Sequence, residues 1–188
     1  MKNKFNLLII LTFALTLISC SDDDSDSSTI NGDVSGEWMI ESINYTGSSV
    51  TTAQGNSITS SFEGESFDEN ATITFNDDNT FTSQGSYSIE LTTIAFGETQ
   101  DQIVEIDDYN SEGDWSLDGN IMTLDGELVS VSSGIPPAGE LGNTGPQESV
   151  VQELTNDTMV LNTVSEQTVE QFGTTSEVTT DLTITLTK

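Results

Sequence analysis

The feature that most constrains this chain is a period of two. Ala71, Ile73 and Phe75 alternate with Thr72 and Thr74. After Asn76-Asp77-Asp78-Asn79, Phe81, Tyr87, Ile89 and Leu91 share one face, and Thr80, Thr82, Gln84, Ser86 and Ser88 share the other. Successive strand side chains point to opposite faces, so this is a β-hairpin with one buried and one solvated face. No segment shows the 3.6-residue period of an amphipathic helix.

The alternation recurs to the end of the chain. Asp118-Gly119 predicts a tight turn between DWSL and NIMTL, with Trp115 opposite Met122 and with Leu117 and Leu124 on the same side. Val150 to Leu154, the turn Thr155-Asn156-Asp157 and Thr158 to Val164 form a third hairpin. A last strand then follows, carrying Val178, Leu182, Ile184 and Leu186 on one face. These runs number about eight, and their Thr- and Ser-rich outer faces suit solvated antiparallel strands. Two stretches do not fit strands: Gly134 to Gln147, which holds four Gly and all three Pro, and the Ser/Thr/Gly stretch Gly47 to Ser57. Ser83 and Gly85 interrupt the apolar face of the first hairpin, which leaves room inside the fold or marks a bend in the sheet.

Composition removes most chemistry. With no His and one Cys, there is no Ser-His-Asp or Cys-His nucleophile and no His-ligated zinc. A phosphate-cradling Lys loop is missing as well. What survives is carboxylate chemistry, and among 32 Asp and Glu any pair arises by chance, so the expectation is a protein that is not an enzyme and needs no cofactor. Calcium is the one metal such a surface suits, since hard cations take oxygen ligands. The weak candidates are Asp77 and Asp78 in the first turn, Asp107-Asp108, and Glu65-Asp68-Glu69. None has calcium-loop spacing. Asp22, Asp24 and Asp26 have the first spacings of such a loop, but Ser27 stands where it needs Gly.

The N-terminus specifies an address. Lys2 and Lys4 precede an apolar run from Phe5 to Ile18, too short to span a bilayer, which is the pattern of a cleaved signal peptide over residues 1–19. The run ends in Leu17-Ile18-Ser19-Cys20, which resembles the bacterial lipobox. That resemblance implies cleavage before Cys20 and acylation of its thiol, and several acyl chains together would hold the protein to the membrane durably. The mature chain would keep one cation, Lys188, against 32 carboxylates, a side-chain balance of −31. Such a surface repels nucleic acid.

Residues 20–35 then form an acidic Ser/Asp tether, expected to be disordered; its opening SDDDSDSS, Ser21 to Ser28, contains only Ser and Asp and has nothing apolar to bury. Acidic residues directly after the lipid-bearing Cys are similar to the export signal of Bacteroidetes-type lipoproteins, which implies the outer membrane, facing the cell exterior. A plain spacer is the alternative.

Gly36-Glu37-Trp38, followed in order by ITFNDDNTF, GDWSLDGNIMTL, QELTNDTMVL and TITLTK, resembles the lipocalin-like domains of Bacteroidetes lipoproteins. The resemblance implies an all-β fold over residues 36–188: an antiparallel up-and-down barrel of about eight strands, closed at one end, whose interior takes a small apolar ligand. In that family the Trp of the G-x-W motif plugs the closed end and an Arg of the last strand stacks over it. Gly36 and Trp38 match; no Arg exists in the chain, and Lys188 is the residue placed to substitute. The other expectation is a barrel filled by its own side chains, acting through its outer surface and stabilised by Ca2+.

Overall fold

The structure is a computed structural model and describes residues 29–130, 145–171 and 174–188. Cys20, the SDDDSDSS tether and most of the Gly134–Gln147 stretch lie outside these residues. The described chain is all β: β1 (Thr29–Ile30), β2 (Gly36–Ala53), β3 (Asn56–Phe75), β4 (Thr80–Ala95), β5 (Glu98–Asp118), β6 (Ile121–Asp125), β7 (Gln147–Leu154), β8 (Thr158–Gln171) and β9 (Thr174–Thr187). From β2 to β9 each strand pairs antiparallel with the next, and β9 returns to pair with β2. Eight strands therefore form one closed ring, which removes sheet edges wherever all eight are present.

The strands are unequal, and this shapes the molecule. β6 and β7 are short and meet the ring only at the end where β5 finishes and β8 begins. Among the described strands, Glu98 to Gly113 of β5 pairs with β4 alone, and β8 beyond Asn162 pairs with β9 alone. An eight-stranded closed end thus continues into a six-stranded extension in the order β5-β4-β3-β2-β9-β8. Acidic residues line the open β5 edge at Asp101, Glu105, Asp107, Asp108 and Glu112, which discourages edge-to-edge pairing.

Where the two parts join, adjacent strands carry register shifts: Met39/Asn44, Phe67/Asn70 and Gly85/Tyr87. Asp68 and Asp108 adopt positive φ there (54° and 50°), a conformation Asp tolerates, and Gly85 has φ 136°. A Cβ on Gly85 would lie 2.3 Å from the Asn70 carbonyl oxygen, so glycine is required where β3 and β4 bend. Two of the acidic clusters singled out as calcium candidates therefore sit on β-bulges.

Three sequence expectations need correction. Gly47–Ser57 is not a loop: β2 runs through Ala53, turns at Gln54-Gly55 and returns as β3 from Asn56. The β5–β6 turn lies one residue later than expected, with Gly119 and Asn120 as its central residues. Trp115 thus faces Leu124 and Leu117 faces Met122. A one-residue move of a two-residue loop shifts the pairing by two, so all four side chains keep their face. The tether is also shorter: Thr29–Ile30 pairs parallel with Glu153–Leu154, Asn31 and Gly32 donate to the Leu154 carbonyl, and Val34 is buried.

Candidate functional site

The interior changes character from the closed end upward. At the closed end Trp38, Phe75, Phe81, Ile73, Met122, Leu154, Met159 and Leu186 are fully buried. Phe75 packs against Phe81 and edge-on against Trp115, with centroids 6.1 Å and 5.6 Å apart. The indole nitrogens are satisfied: Trp38 Nε1 donates to the Val34 carbonyl at 2.7 Å, and Trp115 Nε1 to the Thr80 carbonyl at 3.1 Å. Lys188 Nζ stands 4.2 Å from the centre of the Trp38 ring and donates to the Asp33 and Ser35 carbonyls, each at 3.0 Å. Gly36 lies beneath this lysine, the position of a Cβ being 3.5 Å from Lys188 Cε.

Above the plug, Gly126 to Ser130 turns inward along β4 and β5. Three inward hydroxyls hold its carbonyls: Ser83 donates to Leu128 (2.7 Å), Tyr87 to Ser130 (2.7 Å) and Tyr109 to Glu127 (2.5 Å). Burial raises the pKa of Tyr109 to about 12, and burial raises that of Tyr87 as well. The Ser83 gap is therefore filled by main chain rather than left open. Between this segment and the wall of β7, β8 and β9 remains a space of about 70 Å³, lined by Leu124, Leu128, Leu182 and Ile184 together with Glu127, Gln147 and the hydrogen-bonded pair Ser149–Thr163. A drug-sized ligand needs about 300 Å³ or more.

Higher still is a feature the sequence reading missed. Tyr45-Thr46-Gly47 on β2 and Phe62-Glu63-Gly64 on β3 share the pattern aromatic-x-glycine. The register pairs Tyr45 with Gly64 and Gly47 with Phe62. Each ring covers the opposing glycine: a Cβ on Gly64 would lie 2.1 Å from Tyr45 Cε1, and one on Gly47 2.2 Å from Phe62 Cζ. The rings are 6.0 Å apart and tilted. Tyr45 is only 3% exposed, and its hydroxyl has no hydrogen-bond partner; the same holds for Thr180 Oγ1, on the residue of β9 paired with Gly47. Burial pushes the Tyr45 pKa well above the ordinary tyrosine value. An unpartnered buried hydroxyl costs about 1–3 kcal/mol. The repeated aromatic-x-glycine triplet was the available signal, and it went unseen because Gly47–Ser57 did not read as strand.

The outer face carries a depression of about 520 Å³ across β9, β2, β3 and β4, lined by Glu63, Glu65, Glu90, Asp181 and their neighbours, and Tyr45 and Gly64 border it as well. Glu65 stands directly opposite Glu90. The candidate Asp78 is occupied otherwise: its carboxylate accepts from the Thr80 hydroxyl (2.7 Å) and amide (3.2 Å), and these bonds lower its pKa. No group of three potential ligands arranged for a metal, Asp77 included, occurs among the described residues.

A family model described as a lipocalin-like domain matches residues 34–161, from the buried Val34 below the plug to Leu161 of β8. Comparison with curated proteins and with solved structures gives no significant match.

Proposed function

Since the chain belongs to the lipocalin-like domain family, we propose that it is a lipoprotein held by acyl chains on Cys20 to the outer membrane, facing outward, whose barrel takes a small apolar molecule. The observation that carries the ligand reading is the space between the aromatic plug and the upper interior, whose apolar wall is Leu124, Leu128, Leu182 and Ile184 and whose polar groups include Ser149 and Thr163. Support for the anchor comes from the order of Lys2 and Lys4, apolar run, lipobox and acidic tether. The role is binding rather than catalysis, because the inward polar groups are hydroxyls and the carboxylates lie mainly on the outside.

Native mass spectrometry of protein purified from a rich extract tests the ligand: an added mass of a few hundred daltons that organic solvent removes is expected, and a bare mass after exposure to lipid extracts argues for a filled barrel. Cys20→Ala should release the protein from the membrane fraction. Digestion by protease on intact cells checks the outward orientation, and resistance until lysis would refute it.

A second reading, action through the outer surface with bound Ca2+, is favoured by the acidic depression and the facing pair Glu65 and Glu90. Stabilisation by micromolar calcium that sodium chloride does not reproduce is its signature.

A further inference from the structure

We propose that Tyr45 and Phe62 form a two-ring gate over the barrel interior, and that the molecule admitted is a neutral amphiphile rather than a fatty-acid anion. The inference rests on the ligand-binding reading above and specifies how the space is made and what fills it.

The rings are seats on glycine, not knobs between side chains. Nothing but main chain lies under Tyr45 at Gly64 or under Phe62 at Gly47, so a ring that swings away uncovers a flat floor without leaving another side chain stranded. Tyr45 pairs across β2 and β9 with Leu182, which lines the 70 Å³ space, so moving Tyr45 opens the interior next to that space. The closed position also leaves Tyr45 Oη buried without a partner, and swinging out returns that hydroxyl to water. Thr180 Oγ1, beside the Gly47 seat, is the second buried hydroxyl without a partner. A ligand in place of the rings covers both glycines with its apolar part and offers Thr180 a hydrogen bond.

Charge decides the head group. Beyond Lys4 the chain has one cation, Lys188, and it is committed to Trp38 at the closed end. No side chain in the interior can neutralise a carboxylate, whose burial unpaired is costly. An alcohol or ester head meets the hydroxyls of Ser149 and Thr163 and the side chains of Glu127 and Gln147, none of them cationic.

The test uses the mature chain with Cys20→Ser, so that no acyl chain competes. It reads binding of the neutral fluorescent probe N-phenyl-1-naphthylamine and its displacement by dodecanol or dodecanoate, in 1 M sodium chloride to screen the outer charge. Dodecanol should displace the probe at a concentration lower by about tenfold or more. Tyr45→Phe, which removes the unpartnered hydroxyl and keeps the ring seated, should raise the melting temperature and weaken probe binding by about fivefold. Gly64→Ala, which unseats the ring, should tighten it; Phe62→Leu, which uncovers Gly47, should act in the same direction and serves if Gly64→Ala does not fold. If wild type binds the probe but Tyr45→Phe and the opening variants leave affinity unmoved, the gate is wrong and the ligand reading stands. Equal displacement by dodecanoate overturns the neutral class. If folded wild type and folded opening variants bind neither probe nor dodecanol, the ligand reading falls and takes the gate with it.

Discussion

The closed end and the glycine-seated middle of the same barrel are built on opposite rules. At the closed end eight strands converge, large side chains interdigitate, and both indole N–H groups and the Lys188 ammonium have partners. In the middle only six of the described strands continue, as an open sheet, two aromatic side chains rest on bare main chain, and two hydroxyls are buried without partners. The two unpartnered buried hydroxyls sit at the glycine-seated level, while neighbouring Ser66 is hydrogen-bonded. The difference teaches that one sheet can hold a fixed floor and a convertible interior, the division falling at the line of bulges near Asp68, Gly85 and Asp108.

The largest test of this contrast is Trp38→Ala. Removing a fully buried indole from the plug should cost about 3–5 kcal/mol, measured as a shift in the urea unfolding midpoint. A loss below about 1 kcal/mol would mean that the closed end is no more rigid than the middle.

High pH comes next. Tyr109 titrates near 12 when folded and near 10 when unfolded, and Tyr45 and Tyr87 are shifted in the same direction. Their folded pKa values exceed the unfolded ones, so the stability they contribute is whole below about pH 10 and is lost as pH rises toward 12. Urea midpoints at pH 9 and 11 should fall, and Tyr87→Phe should flatten the fall. An unchanged slope would remove Tyr87 from the account.

Lys188→Ala should cost about 1 kcal/mol, combining the cation–π contact with two hydrogen bonds to exposed carbonyls. Lys188→Met keeps the alkyl cover of Trp38 and separates packing from charge; equal losses for the two variants would show that the charge is what counts.

The smallest effect belongs to the outer face. Glu65→Gln should raise stability by a few tenths of a kcal/mol at low salt, because like charges directly opposite repel, and the gain should vanish in 1 M sodium chloride.

Much of the closed end was legible in the sequence because its information is local. Alternation put Ile73, Phe75 and Phe81 on one face, the Asn76–Asn79 turn fell where expected, and the match over residues 34–161 gives the family. The middle was illegible because what defines it is a pairing between strands. Gly47 means nothing until Phe62 is known to lie across from it, and Gly47–Ser57 has too few apolar residues to announce a strand held by main-chain pairing on both sides. Ser83 misled for a related reason. Its small size signalled room, but the occupant, Leu128, comes from a segment 45 residues away.

Lys188 bonds the carbonyls of Asp33 and Ser35, and β1 lies against β7, so the first and last described residues leave the barrel at the same plugged end. Both described termini therefore meet the barrel beneath the plug. The six-stranded extension runs away from them, so the Tyr45–Phe62 level can be entered without passing either end of the chain.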